Sequence, residues 1–535
     1  MFFSLGFLWN KKNYTINQIF FTTLYGVILL SLISLSLNFF FALNPIINSI
    51  TYLSIIIIFF LKFSSQINKK TIYFLVISSL ISTFLILYSN MNRPDAGLYH
   101  LPYISFLNEN KIIFGLSNIH SRFGHVSIVQ YLSAINYNII SPIESVIIPL
   151  GNIVSIFYIF FFNEILKVFK NKKIEISDVF NLFVIIFIIY KINRYSGFGN
   201  DALGHLSLFL IISIFLKYNN LIRKFDLILL ISVFAFLNKP TMVFIFLFPA
   251  IVFVSNYKNL INKIPKTLVS IPSLLLYLWL IKNILISGCF LYPIESTCFS
   301  KLSWTDLEKT KIVNVEGEAW NKDWPNKLDK NITFELYNKN FNWFQSWANN
   351  HLIKIIKIIL PYLLILIFIS LIFKKDKKFL LNINYFSCLL ISLIGMVIFF
   401  LKFPIFRYGY SYLVSFFILG IISFISINKT DKRNLIIFQS IFIICLSILV
   451  LKQLTKINNE NFPYQAWPKI YDFGNNQFKN TIKKKLGNDF IYYHSNSGDS
   501  LCMYSPSPCV TSIVPEKLNV KKLYGYNIIY KNNFN

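Results

Sequence analysis

Residues 353–373 read IKIIKIILPYLLILIFISLIF, an apolar run that a cluster of lysines follows at once. About 20 such residues span the hydrocarbon core of a bilayer as one α-helix. Similar runs recur along the chain, which is 55% hydrophobic and only 14% charged. In lipid, only helices and closed barrels satisfy the backbone, and these runs are too long and too uniformly apolar for barrel strands. The sequence therefore predicts an all-α polytopic membrane protein.

The apolar runs divide the chain into a membrane domain and a tail. We predict about 13 transmembrane helices, within a range of about 11 to 14 because several runs are short and Pro240 interrupts one of them. The predicted spans are 18–40, 46–63, 71–89, 142–166, 178–192, 200–217, 225–238, 240–256, 266–286, 353–373, 379–401, 407–427 and 434–451. Residues 1–451 then form a transmembrane domain with large outer loops at 90–141 and 287–352. Residues 452–535 hold no span, which predicts a small outer tail domain with β or α+β structure.

Charge predicts the orientation of the spans. The formal net charge is +28, from 51 Lys and Arg residues against 23 Asp and Glu. Basic excess is typical of nucleic-acid-binding proteins, but here the basic residues lie in short loops between spans, as Lys69-Lys70 and Arg223-Lys224 do. This distribution follows the positive-inside rule. It predicts a cytoplasmic N-terminus, an outer C-terminal tail and no nucleic-acid partner.

The first outer loop concentrates residues that can move protons or hold anions. They are Asp95, Tyr99, His100, His120, Arg122 and His125. A carboxylate or an imidazole can take a proton while Arg binds a neighbouring anion. The alternative is an interfacial helix in which Asp95 only complements the helix dipole. Asp95 and His100 are therefore candidate catalytic residues, and the other four are candidate substrate-binding residues.

A second set of polar residues lies at the outer ends of later spans. Asp201 and His205 are four residues apart, so they share a helix face, and ionisable groups at that depth usually face a cavity or a partner. The alternative for Asp201 is a first-turn acid after an Asn200 cap. Lys239 and Arg407 are expected either to bind a phosphate or to extend toward lipid headgroups. We expect Asp201 to be catalytic and the other three to bind substrate.

The six cysteines fall into two groups. Cys388 and Cys445 lie within predicted spans, as buried thiols. Cys289 with Cys298 and Cys502 with Cys509 are close pairs in predicted outer segments, where an oxidising environment would allow two disulfides. The loop 287–352 is also rich in tryptophan, which suits either sugar binding or anchoring at the membrane interface.

Familiar nucleotide, zinc and hydrolase motifs are missing from the sequence. It has no Gly-rich phosphate loop, no paired-Cys zinc pattern and no Gly-x-Ser-x-Gly segment. A divalent metal at Asp95, Asp201 and the nearby histidines is an alternative that we do not favour. No cofactor and no metal ligand are assigned.

The placement of Asp95 and Asp201 resembles that in GT-C glycosyltransferases, if the first two helices are an added hairpin. In that family one acid lies in the first large outer loop and a second often lies in the next outer turn. Tyr99-His100-Leu101-Pro102, Arg122-Phe123-Gly124 and the Cys502–Cys509 region also resemble a set of bacterial polytopic proteins of unassigned function. This resemblance implies a bacterial inner-membrane protein. Because Ala96 follows Asp95, the adjacent acidic pair of the better-known pattern is missing, which disfavours a metal-dependent variant.

The GT-C resemblance implies an enzyme that works with the bilayer and a polyprenyl-phosphate-linked sugar as partners. Asp95 would deprotonate an acceptor on the outer face, while Arg122, Lys239 and Arg407 hold the donor phosphate. One alternative is a transporter or flippase of lipid-linked or small anionic substrates, although the sequence shows no repeat of the kind that such proteins contain. Another is an O-antigen-type polymerase or ligase.

Overall fold

The chain folds into a helical bundle with a small β segment at its C-terminal end. The computed structural model describes residues 1–9, 15–63, 67–87, 95–196, 199–373, 382–425, 431–458, 481–487, 490–495, 501–511, 514 and 517–531. Residues 90–94, the lysines at 374, 375, 377, 378 and 429, and the stretch 459–480 of the predicted tail lie outside the described residues.

The described part of the chain contains the following α-helices, in chain order. They are α1 (Phe2–Trp9), α2 (Ile16–Phe40), α3 (Pro45–Phe63), α4 (Lys69–Leu87), α5 (Leu101–Glu109), α6 (Ile128–Asn136), α7 (Ile148–Asn171), α8 (Ile176–Ser196), α9 (Asp201–Lys217), α10 (Phe225–Asn238), α11 (Leu247–Ser255), α12 (Tyr257–Leu260), α13 (Ile264–Leu268), α14 (Ile271–Ser287), α15 (Leu307–Asn321), α16 (Phe334–Asn338), α17 (Phe344–Trp347), α18 (Ile353–Ile372), α19 (Ile383–Lys402), α20 (Phe406–Ile422) and α21 (Lys432–Ile457).

By length and hydropathy, 7 helical segments within the described ranges can cross a membrane. They are Ile16–Phe40, Pro45–Lys62, Lys69–Ile86, Ile143–Asn171, Phe344–Ile372, Ile383–Lys402 and Lys432–Thr455. Three shorter apolar segments are Pro240–Ser255, Ile271–Ser287 and Phe406–Ile422. The helical architecture, with segments long and apolar enough to span a membrane, is confirmed, whereas the prediction of about 13 spans is not. Helix α10, for example, is only about 21 Å long, short of the ~30 Å hydrocarbon core.

The bundle has a buried centre and an apolar periphery. Helices α2, α7, α8, α9 and α10 are largely buried, whereas α3, α4, α18 and α21 expose large aliphatic and aromatic side chains. Leu61 and Phe368, for instance, are more than half exposed. Such broad apolar surface suits lipid contact, because soluble proteins rarely expose patches of this size.

Helix α1 was not predicted from the sequence, because the first predicted helix begins at residue 18. It packs against α2 where Gly6 and Gly26 face each other. A Cβ atom added to Gly6 would lie 1.8 Å from the carbonyl oxygen of Thr22. Glycine is therefore required for the two backbones to approach so closely.

The first outer loop folds inward. A π-helix (Ala96–His100) runs directly into α5, two 3-10 turns (Leu116–Asn118 and Ser121–His125) follow, and α6 closes the segment. Nearly all of α5 and α6 is buried. Polar side chains make this burial tolerable, since the Asn108 amide donates to the carbonyl oxygens of Leu43 and Ala134.

The Trp-rich loop forms its own small core. Tyr337, Trp343 and Trp347 are buried together with Ala319, and Phe400 of α19 packs against them. The Trp347 indole N–H donates to the carbonyl oxygen of Pro404 at 2.7 Å. Trp343 and Trp347 therefore pack the core of this loop. A disulfide joins Cys289 and Cys298 at the start of the loop.

The tail contains the β-structure that the sequence predicts. Its strands are β1 (Thr481–Leu486), β2 (Phe490–Ser495), β3 (Cys509–Val510), β4 (Leu518–Leu523) and β5 (Tyr526–Lys531). Strand β2 lies between β1, which is antiparallel to it, and β3, which is parallel. Strands β4 and β5 form an antiparallel hairpin. Helix α21 runs to Ile457, beyond the predicted end of the last span at 451.

Candidate functional site

Asp95 and Arg407 form the ion pair at the centre of the site. Asp95 precedes the π-helix, and Arg407 is in the first turn of α20. Their Oδ2 and Nη1 atoms are 2.6 Å apart, and the Arg407 Nη2–H donates to the Tyr408 hydroxyl at 2.8 Å. The carboxylate is 26% exposed and the guanidinium side chain 30% exposed. Both remain accessible to a substrate.

Lys239 and Asp201 form a second, more buried ion pair. Lys239 follows the last residue of α10, and Asp201 is the first residue of α9. The Lys239 Nζ is 2.6 Å from Asp201 Oδ1 and also donates to the carbonyl oxygen of Arg407 at 3.0 Å. The main chain of Arg407 thus joins the two ion pairs. The structure therefore brings Asp95, Asp201, Lys239 and Arg407 together.

His205 also supports the main chain of Arg407. Its Nε2 lies 2.9 Å from the Arg407 carbonyl oxygen, and its Nδ1 lies 2.7 Å from the Ser411 hydroxyl. A carbonyl oxygen can only accept, so Nε2 carries the proton and Nδ1 accepts from Ser411. Both ring nitrogens are engaged inside the protein. This geometry gives His205 a positioning role, where the sequence suggested substrate binding.

His100 is a buried imidazole on which the charges of both Asp95 and Asp201 act. The Gln130 side-chain oxygen accepts from the Ser127 N–H, so the Gln130 amide nitrogen faces His100 Nδ1 at 3.1 Å and donates to it. The proton of His100 is therefore on Nε2. Burial lowers the pKa of His100 to about 4, against the opposite influence of Asp95 and Asp201. The imidazole is neutral at physiological pH.

Arg122 presents an exposed guanidinium beside the central pair. It lies over the ring of Tyr99, 5.7 Å from the ring centre. Burial, followed by the charge of Asp95, raises the pKa of Tyr99, so its phenol remains protonated. Within the described part of the chain, the Arg122 side chain forms no hydrogen bond or ion pair. It is thus available to an anionic ligand.

His120 and His125 flank Arg122 and have local structural contacts. His120 Nδ1 accepts the backbone N–H of Arg122 at 3.1 Å, which caps the 3-10 turn. The ring of His125 packs edge-on to Tyr292, with ring centres 5.6 Å apart. Burial, followed by the charge of Arg122, lowers the pKa of His120 to about 4 and that of His125 to about 3. Both rings are neutral and support the Arg122 turn.

The tail also reaches the site, a feature that the sequence did not reveal. A disulfide joins Cys502 and Cys509, and the enclosed segment lies against the helix that begins at Asp95. The Met503 N–H donates to the Gly97 carbonyl oxygen at 2.9 Å. A Cβ atom added to Gly97 would lie 2.5 Å from the Met503 sulfur, so the absence of a side chain at 97 allows the contact.

Sequence analysis also missed Tyr408, Ser411 and Gln130. Tyr408 follows Arg407 directly, and Ser411 is one turn further along α20, so the helical period was an available signal. Gln130 had no comparable signal, because its contact with His100 depends on how the first outer loop folds. Among the described residues, no three His, Cys, Asp or Glu side chains come together in a group suited to a metal ion.

The fold and the site define a class: a helical membrane protein with two linked ion pairs at the ends of its helices. The family model described as "Domain of unknown function (DUF8201)" matches residues 1–414, and the chain belongs to this family. The matched region includes all four charged residues of the linked pairs and ends before the tail. No curated protein and no solved structure matches the chain.

Proposed function

We propose that the protein is a GT-C-like membrane glycosyltransferase. It transfers a sugar from a polyprenyl-phosphate donor to an envelope glycan, lipid or protein acceptor on the outer face. The observation that carries this proposal is the accessible Asp95–Arg407 pair, with atoms 2.6 Å apart, linked to the buried Asp201–Lys239 pair. A carboxylate base beside a guanidinium is the combination that sugar transfer from a phosphate requires.

Asp95 acts as the general base in the proposed reaction. Its carboxylate takes the proton from the acceptor hydroxyl, and the acceptor oxygen bonds to the anomeric carbon of the donor sugar. The bond between that carbon and the phosphate oxygen breaks, and the phosphate leaves with the electron pair. Attack from the opposite side inverts the configuration at the anomeric carbon. No metal is invoked.

Arg407 and Arg122 stabilise the negative charge that develops on the phosphate. In the resting protein the Arg407 guanidinium binds Asp95, and the donor phosphate competes for this guanidinium when it enters. Arg122 is exposed and available. A donor bound to Arg407 would leave Asp95 with one partner fewer and ready to accept a proton.

Lys239, Asp201 and His205 position the reacting groups. Lys239 is only 5% exposed and is paired with Asp201, so it is poorly placed to bind the donor phosphate. Its bond to the Arg407 carbonyl oxygen instead stabilises the backbone at Arg407. His205 binds the same carbonyl oxygen. Neutral His100, which Gln130 orients, lies near both carboxylates.

We also propose that the protein lies in a bacterial inner membrane with a cytoplasmic N-terminus and an outer tail. Two disulfides suit an oxidising compartment, and the loop lysines suit the cytoplasmic side. The proposed active site is then on the outer face, where lipid-linked donors arrive sideways from the bilayer.

The test of this function is Asp95→Asn, which keeps the size of the side chain but removes the base. With expression matched to the wild type, we expect transfer to fall by roughly 100-fold or more, because general bases typically contribute that much. The readout is the cell-envelope glycan profile, supported by product formation from a purified polyprenyl-phosphate sugar. Asp329→Asn, at an exposed position in the outer loop, is the matched control. A normal glycan profile in Asp95→Asn would remove Asp95 as the base.

Reconstituted vesicles distinguish transfer from transport. The proposed enzyme forms a glycosylated acceptor with no net movement of the donor between leaflets. Donor movement without a transfer product would instead establish the flippase alternative. A product with many added sugar units would indicate a polymerase.

A further inference from the structure

Lys282 is a buried cation inside an apolar helix. It lies in α14, one and a half turns before the helix ends, and is only 1% exposed. Its Nζ makes no hydrogen bond within the described part of the chain, and no described carboxylate acts on it. Its Nζ lies over the ring of Trp279, 4.9 Å from the ring centre. An ionised group buried in this way is costly unless a counter-ion binds it.

Two further polar atoms on the same helix face lack partners. Positions 279, 282 and 283 share one face because they are three and four residues apart. The Trp279 Nε1–H and the Asn283 Oδ1 are buried and make no hydrogen bond to any described residue. The Asn283 Nδ2 donates to the Phe290 carbonyl oxygen at 2.8 Å, which fixes the orientation of the amide. The face thus offers two donors and one acceptor.

A second cation, Arg122, lies close to the helix face that carries Trp279, Lys282 and Asn283. Helix α14 packs against the 3-10 turn Ser121–His125, which carries the exposed Arg122. After burial, the charges of Arg122 and Lys282 both lower the pKa of His125, so both cations lie near that ring. Arg122 and Lys282 therefore both lie on the side of the molecule that holds His125.

We propose that Lys282, Trp279 and Asn283 form a buried binding site for an oxyanion that carries a hydroxyl group, such as a phosphate monoester. The ammonium and the indole N–H donate to the anionic oxygens, and the hydroxyl donates to Asn283 Oδ1. This site is separate from the Asp95–Arg407 pair, and it goes beyond the proposed transfer reaction. The ligand's source is either free phosphate or the phosphate monoester of a polyprenyl lipid.

The test measures thermal unfolding of the full-length protein in detergent, with inorganic phosphate titrated at constant ionic strength. We expect Tm to rise and saturate for the wild type and for Lys301→Met, a matched control at an exposed lysine. Lys282→Met should lose the saturable rise. Because phosphate stabilises most proteins weakly without binding, the difference between the variants is the decisive quantity. A rise that persists in Lys282→Met, or no saturable rise in the wild type, overturns the site.

Trp279→Phe keeps the ring but removes the N–H, and it should weaken phosphate affinity several-fold. If Lys282→Met does not give a monodisperse protein, Trp279→Phe serves in its place as the test of the phosphate site. Unchanged affinity in Trp279→Phe contradicts the proposed donor set. Sulfate, which has no hydroxyl at neutral pH, should bind more weakly than phosphate. Equal binding of the two anions rejects the role of Asn283.

Two probes separate the sources of the ligand. Inorganic phosphate is added in detergent, and polyprenyl phosphate is incorporated into nanodiscs that carry the protein. The site is supported if either probe gives a saturable rise in Tm for the wild type and Lys282→Met abolishes that rise. The probe that acts at the lower concentration identifies the source of the ligand. Stabilisation by neither probe overturns the site. These measurements involve no sugar transfer, so their outcome is independent of the Asp95→Asn assay.

Discussion

The carbonyl oxygen of Arg407 connects the two halves of the site at the level of single residues. It accepts from Lys239 at 3.0 Å and from His205 at 2.9 Å, while the guanidinium of the same residue binds Asp95. A change at Lys239 is therefore expected to affect Arg407 as well as its own partner, Asp201. The two ion pairs act as one unit.

Lys239→Met should destabilise the protein by about 3 kcal/mol, because it removes the 2.6 Å ion pair with the largely buried Asp201 carboxylate. Lys239→Met combined with Asp201→Asn should recover part of this loss, since the carboxylate charge that Lys239 balanced is also removed. Denaturant unfolding in mixed micelles measures both effects. Lys173→Met removes an exposed ion pair with Glu175 and should leave stability unchanged. A double variant no more stable than Lys239→Met would show that the two charges are not coupled.

The buried histidines predict a loss of stability in acid. Burial lowers the pKa of His100 and of His120 from 6.5 to about 4, so the unfolded chain takes up these protons first. The stability contribution of the neutral rings is complete above pH 6.5 and decreases as the pH falls toward 4. Each ring contributes up to about 3 kcal/mol across this window.

Thermal unfolding between pH 7 and pH 4.5 checks the acid response. The variant His100→Gln with His120→Gln should show a smaller decrease in Tm on acidification than the wild type. His351→Gln, which changes a histidine in the outer loop beside Asp323, serves as the control. If the double variant loses as much Tm as the wild type, other groups control the response.

Residue types were easier to predict from the sequence than residue partners. Asp95, Asp201, Lys239 and Arg407 stood out because charged residues at the outer ends of apolar runs are costly. Their pairing was not predictable, because Asp95 and Arg407 are 312 residues apart and meet only after the bundle packs. The roles of His205 and His100 likewise depend on hydrogen bonds to Ser411 and Gln130 that no local pattern encodes.

At the level of elements, hydropathy located the apolar segments better than it located their ends. The run at 240–256 divides into a 3-10 helix (Pro240–Phe246) and α11, since Pro240 lacks the N–H that would continue α10. The sequence predicts an outer loop at 90–141, yet α5 and α6 within it are almost entirely buried in the bundle. Its asparagines and serines satisfy buried carbonyl groups, and that compensation has no signature in a hydropathy plot.

The disulfide-closed segment of the tail holds the element that carries Asp95. Besides the Met503 contact, the Ser105 hydroxyl donates to the Ser505 carbonyl oxygen at 2.6 Å, and the Ser507 N–H donates to Glu109 at 2.9 Å. The Tyr504 hydroxyl donates to Asn108. These three bonds lie in the C-terminal half of α5, and the Met503 bond lies in the π-helix that precedes it.

Cys502→Ser with Cys509→Ser should destabilise this segment by about 2 kcal/mol, from the entropy of closing a short loop. Hydrogen exchange of the backbone at residues 95–109 should become faster, because the tail no longer holds α5. Mass spectrometry of the exchanged peptides provides the measurement. Cys289→Ser with Cys298→Ser is the matched control and should leave exchange at 95–109 unchanged. Equal exchange in the two double variants would show that the tail does not hold the site.

At the level of the whole molecule, the residues around the candidate site come from both the family region and the tail that follows it. Residues 1–414 match the family model and contain both ion pairs, whereas the segment that contacts Gly97 lies beyond this region. The membrane assignment itself needed only composition, since the apolar periphery follows from long uncharged runs. How many helices cross the bilayer depends on helix lengths that packing determines.

The contact between Ser105 and Ser505 has a consequence for biosynthesis. The two residues are 400 positions apart, and a ribosome adds roughly 5–20 residues each second. The Asp95 segment therefore waits on the order of 20–80 s before the chain that supports it emerges. The contact with Ser505 can form only after that residue has been synthesised, so fragments from translation that stops earlier would lack this support for the Asp95 segment.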